Sequence, residues 1–93
     1  MRSILIAIAL LVSGLAYGQT AMEFVARAID KVELGDYRGA IADYNKAIEL
    51  NPNDADTYYN RGVAKGALEY YRGAIADYNK AIELNPNDAD AYV

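Results

Sequence analysis

The side chains able to take or hold a proton, a metal or a charge form a restricted set in this 93-residue sequence. It contains no cysteine and no histidine. Disulfides, thiolate nucleophiles and the commonest general base and metal ligand are therefore excluded. Carboxylates, tyrosines and lysines remain. Asp77 and Glu83 lie six positions apart, a spacing that does not bring them face to face on a helix, so no paired acid and base emerges. Two clusters, Asn51, Asn53, Asp54, Asp56 and Asn85, Asn87, Asp88, Asp90, have the composition of a calcium loop but lack its glycine and terminal glutamate. Turn and capping chemistry accounts for them better. The expectation is a protein that is not an enzyme and has no metal or cofactor site. Nine Lys and Arg against thirteen Asp and Glu leave a net charge of −4, which argues against a nucleic-acid backbone as the main partner.

The elements that must position these side chains begin after a distinct leader. Met1-Arg2-Ser3 carries one cation, Ile4 to Val12 is unbroken apolar sequence, and Ala16-Tyr17-Gly18 places small residues ahead of Gln19. This is the layout of a secretory signal peptide over residues 1–18, cut before Gln19. The apolar run is short of the ~20 residues of a spanning helix. An uncleaved anchor and a buried N-terminal helix are the alternatives. No cysteine follows for lipid attachment. Export to the periplasm or beyond is expected, as for a bacterial envelope protein, with a membrane contact only if the leader is kept.

The remainder repeats itself. YRGAIADYNKAIELNPNDAD runs from Tyr37 to Asp56 and again from Tyr71 to Asp90, a step of 34 residues. One unit spans 21–54, a second 55–88, and 89–93 opens a third. In the second unit Asp54 can cap a helix from about Asp56 to Leu68. A second helix begins near Arg72, where Ala74, Ile75, Tyr78, Ala81 and Ile82 form an apolar stripe of helical period. Asn85-Pro86 ends it, because proline cannot continue the ladder and pushes its predecessor out of the helical region. A short connection makes the two helices antiparallel. A unit with apolar residues on both sides must stack on its neighbours, so the duplication is architectural.

These features resemble the tetratricopeptide repeat. The slots are the first aromatic at Phe24, Tyr58 and Tyr92, the small residue at Ala28 and Gly62, the later alanine at Ala40 and Ala74, its aromatic at Tyr44 and Tyr78, a second alanine at Ala47 and Ala81, and the proline at Pro52 and Pro86. The resemblance implies an all-α fold: antiparallel helix-turn-helix repeats stacked as a short α-solenoid of two full units and the start of a third. Small and large residues alternate as interdigitated packing requires.

Two slots depart from the pattern in both units: Arg27 and Arg61 stand where leucine is usual, Lys31 and Lys65 where tyrosine is usual. Each pair lies on one helix face. They either pack their stems and pair with Asp43 and Asp77 on the following helix, or form a basic ladder for an acidic ligand. The turns differ too. Leu34-Gly35-Asp36-Tyr37 supplies a left-handed glycine and a cap, whereas Leu68-Glu69-Tyr70-Tyr71 supplies neither. Tyr70 and Tyr71 are either extra packing or an aromatic hot spot.

The resemblance further implies a protein-interaction scaffold whose first helices line a concave groove for a peptide or a partner helix. Carried over by slot, that groove is Met22, Val25, Ala26, Ile29 and Val32 in the first unit. In the second it is Asp56, Tyr59, Asn60, Val63 and Gly66. Only Asn60 is reminiscent of the lysine and asparagine clamp with which some members hold a C-terminal carboxylate, so heat-shock chaperone tails are not the expected ligand. The other reading is a structural or self-associating piece of a longer array, with contact through the C-terminal face.

Overall fold

The computed structural model describes residues 17–87 of the chain, with side chains from Ala21 onward. The expected leader up to residue 16 and the opening of a third unit at 89–93, including Tyr92, lie outside the described residues. Four helices follow one another: α1 (Tyr17–Glu33), α2 (Tyr37–Leu50), α3 (Ala55–Ala67) and α4 (Tyr71–Leu84). Each packs on the next in sequence. The result is two antiparallel helix pairs stacked side by side, an all-α short solenoid. No described helix is long and apolar enough to cross a membrane.

Local chemistry sets the helix ends. Gly35 takes φ +79, with its N–H donating to Val32 O (2.9 Å) and the Asp36 N–H donating to Lys31 O (2.8 Å). This pair of bonds closes the end of α1 by a left-handed reversal. The Asp36 carboxylate then accepts from Gly39 N (3.0 Å) and caps α2. The second turn makes the same bonds, Glu69 N to Gly66 O (2.9 Å) and Tyr70 N to Lys65 O (2.8 Å). Here Glu69 holds φ +65 in place of glycine, and Tyr70 offers α4 no side-chain cap. Stacking thus preserves the turn against its own local preference. Asn51 and Asn85, each before a proline, leave the helical region at φ −142 and −143.

Packing follows the alternation of small and large. Ala28, Ala40 and Ala64 are fully buried around Tyr44, with Val25, Val32, Tyr37 and Ile41 against them. Tyr58 and Ala81 centre a second cluster with Ile48, Ala55 and Ile82, and the Tyr58 hydroxyl donates to Pro52 O (3.0 Å). Ala47 and Ala74 are also buried, while Phe24 is half-buried and Pro52 and Pro86 are exposed. Gly62 marks a close approach. A Cβ there would stand 2.8 Å from the Tyr78 ring and 3.2 Å from Ala74 O. α2 and α4 have the same fourteen residues, YRGAIADYNKAIEL. Yet Tyr44 is buried where Tyr78 is half-buried, and Ile41 packs on the core where Ile75 is exposed. The difference is α3, which lies over α2. Among the described residues no following helix covers the outer face of α4, whose inner face packs on α3.

Candidate functional site

The inner faces of α1 and α3 meet along a trough. Its first depression, about 410 Å³, lies at the N-terminal ends of both helices. Ala21, Met22, Val25, Ala26 and Ile29 of α1 form one wall. Asp54, Asp56, Thr57 and Asn60 form the other, and Ala47 and Asn51 close the base from the end of α2. A second depression, about 330 Å³, continues toward the C-terminal ends between Ile29, Val32, Glu33, Tyr44, Asn60 and Val63. Ile29 and Asn60 line both, so the two depressions adjoin along one groove face.

The apolar floor follows from helical spacing: Met22, Val25, Ala26, Ile29 and Val32 recur at three- and four-residue intervals and fall on one face of α1. Met22, Ile29 and Val63 stay exposed although they are apolar, an arrangement that leaves surface for a partner. Eight of the residues expected in the groove by slot therefore line it. Tyr59 and Gly66 do not. Tyr59 packs against Tyr78 in a tilted pair with ring centroids 5.6 Å apart, and Gly66 also faces the Tyr78 hydroxyl. Both belong to the α3–α4 side of the molecule. The slots alone missed Asn51 and Asp54, which reach the groove because the junction between the units passes beneath it. Asp54 is committed: its carboxylate accepts from Asp56 N (3.1 Å) and the Thr57 hydroxyl (2.9 Å), capping α3.

The basic residues lie elsewhere and are mostly neutralised. Arg61 donates from Nε (2.9 Å) and Nη2 (2.6 Å) to the two oxygens of Asp77, and from Nη1 to Asn45 Oδ1 (2.8 Å). Lys65 Nζ adds a contact to Asp77 at 3.1 Å. Arg61 also stands over the Tyr58 ring at 5.5 Å. In the first unit Lys31 Nζ lies 2.8 Å from Asp43 Oδ2. That contact is an ion pair of poor hydrogen-bond alignment, since the oxygen is buried without a hydrogen-bond partner among the described residues. Arg27 does not join it and lies over Phe24 at 5.0 Å. The structural role for Lys31, Arg61 and Lys65 is thus visible in the pairing. The Asn45 link, which ties α3 to the preceding unit, had no signal in the spacing. Tyr70 and Tyr71 are exposed at the turn. Burial raises the Tyr44 phenol above its ordinary value of 10.0. Burial also raises Tyr78, helped by the neighbouring charges of Tyr59 and Asp77. No group of three or more Asp or Glu able to hold a metal occurs among the described residues.

Comparison with known proteins agrees with this fold. A family model of the TPR repeat matches residues 30–68, and one of the tetratricopeptide repeat matches residues 55–88. A protein SGT1 homolog of rice (Oryza sativa subsp. japonica) is 44% identical over 45 residues, 48% of this chain and 12% of the rice protein. The first TPR of Spaghetti (RPAP3), bound to the HSP90 peptide SRMEEVD, is 32% identical with a TM-score of 0.75, covering 77% of this chain and 57% of its own. The Arabidopsis OM64 TPR domain is 31% identical with a TM-score of 0.76, covering 81% and 62%. The TPR2AB domain of yeast Sti1 in a pHSP90 complex is 33% identical with a TM-score of 0.79, covering 92% and 34%. The chain spans less than two thirds of each of these relatives. Residues 30–88 of this chain are therefore tetratricopeptide repeats.

Proposed function

We propose that this protein is a protein-interaction scaffold that binds an extended peptide or a partner helix in the groove between α1 and α3. The observation that carries the reading is the pair of adjoining depressions between α1 and α3, with exposed Met22, Ile29 and Val63 along them and the amide of Asn60 in both. An apolar trough with a few polar groups suits a segment that buries alternate side chains and fixes its register by an amide. Met22 to Val32 spans about 15 Å of helix, room for about four or five extended residues. Complexes of similar domains with HSP90 peptides support the same mode of use. A peptide array probed with the full chain and with Ile29→Glu tests it: binding to a set of apolar peptides that the variant loses is expected, and equal binding by both proteins would remove the groove from the account.

A second reading, a self-associating or array-forming piece, has one observation in its favour. Tyr71 and Ile75 are exposed on α4 at 61% and 57%, whereas their twins Tyr37 and Ile41 pack against the core. Sedimentation of the full chain and of Ile75→Lys separates the two readings. A mass that rises with concentration only in the unaltered chain favours self-association; a monomer at all concentrations leaves the groove alone.

We also propose that the protein is exported, with residues 1–18 removed, on the layout of a charged start, an apolar run and small residues before Gln19. The intact mass of the protein from a secretion-competent host would lack the leader.

A further inference from the structure

The groove has a sign. Among the described residues no Lys or Arg lines either depression. The cations of the first helices are committed on other faces: Lys31 to Asp43, Arg61 and Lys65 to Asp77, and Arg27 over Phe24. The carboxylates are placed differently. Asp56, in the first turn of α3, is exposed at one end of the groove, and Glu33, the last residue of α1, is exposed at the other. Neither is ion-paired among the described residues. At the N-terminus of α3, where free amides attract an anion, the Asp56 amide already donates to the Asp54 carboxylate and the Thr57 amide to the Asp54 carbonyl. The whole chain adds a net charge of −4.

Resting on the groove reading above, we infer that the occupant is an apolar segment flanked by basic residues, a cationic peptide whose apolar side chains fill the two depressions while its Lys or Arg groups meet Asp56 and Glu33. This is the opposite polarity to the acidic SRMEEVD peptide held by a similar domain. An acidic tail laid in this groove would bring its carboxylates to Asp56 and Glu33 with no cation to receive them, and like charges across an interface select against the wrong partner. The amide of Asn60, midway along, can receive one backbone group of the segment whichever way it runs.

The test uses the full chain and three synthetic probes: KLVAVK, its charge-reversed twin ELVAVE, and SRMEEVD. Binding is read by fluorescence anisotropy at 50 mM and 500 mM salt. The lysine-flanked probe should bind about tenfold more tightly than the glutamate-flanked twin at low salt, the sum of two exposed pairs turned from repulsive to attractive. The gap should narrow at high salt, where screening shortens the reach of both carboxylates. The variant D56K/E33K, whose fold is checked by its circular-dichroism melt, should invert the order. Ile29→Glu should weaken both twins. Three results would overturn the inference. If the two twins bind equally, or the acidic probes bind better, and Ile29→Glu abolishes that binding, the groove reading stands and the assigned polarity is wrong. If D56K/E33K keeps the preference for lysine, the carboxylates named here do not set it. If no probe binds at either salt concentration, both the groove reading and the polarity built on it fall.

Discussion

Asp43 and Asp77 occupy the same place in the same fourteen-residue helix, yet they hold different loads. Asp77 is 3% exposed and receives three contacts from Arg61 and Lys65. Among the described residues Asp43 receives Lys31 alone. Removing one partner of a buried ion pair leaves the other charge unsatisfied, at a cost of about 3 kcal/mol, whereas a partly exposed pair contributes about 1 kcal/mol or less. Asp77→Ala should therefore lower the denaturation midpoint well beyond Asp43→Ala in urea melts. For the same reason Arg61 and Lys65 cannot be exchanged for the leucine and tyrosine usual in these repeats while Asp77 stays. The sequence showed that these charges could pair across the unit. It did not show that Arg61 would complete the pair while Arg27 turned to Phe24, because that choice depends on the surroundings of two helices with similar local patterns. Tyr44 gives a pH test at this scale. A phenol whose pKa is raised by burial keeps its proton in the folded chain above pH 10.0, where the unfolded chain loses it. Stability is then full below pH 10 and falls as the pH rises beyond it. Melts between pH 9 and 11 should show that fall, and Tyr44→Phe should make it shallower.

At the scale of elements, the helix ends were the most legible feature. Asn51-Pro52 and Asn85-Pro86 stop α2 and α4, and Asp36 and Asp54 cap α2 and α3, all for reasons carried by a few adjacent residues. The turn at Glu69 was legible as a defect. What the sequence could not reveal is that the turn keeps the geometry of its twin, because the force that holds it comes from the packing of α3 on α4. Copying the first turn onto the second, Glu69→Gly with Tyr70→Asp, relieves the left-handed strain and adds a cap. It should stabilise the chain by about 2 kcal/mol, raising the melting temperature by several degrees. No change in a calorimetric scan would mean that the reversal at Glu69 costs nothing. Tyr59 and Gly66, expected in the groove, are not among the residues that line the two depressions. Both lie beside Tyr78 of α4.

Across the whole molecule, identical sequence does not mean identical burial. Ile41 and Ile75 sit in the same helix sequence, and only Ile41 has α3 over it. Ile41→Ala should cost about 2 kcal/mol, and Ile75→Ala should stay within about 0.5 kcal/mol. Equal losses would show that α4 has cover equal to that of α2. The period of the repeat made this stack readable in outline, since units of this length must bury their faces on one another. The groove emerges from the same stacking: α1 and α3 come side by side because α2 lies behind both, and their inner faces are left open. That open face is the centre of the functional account. Its most direct test is a two-dimensional ¹⁵N NMR titration of the full chain with the lysine-flanked peptide, followed residue by residue. The account predicts shifts along Val25, Ala26, Ile29, Asn60 and Val63, with α4 unmoved; shifts confined to Tyr70, Tyr71 and Ile75, or to Arg27 and Lys31, would contradict it.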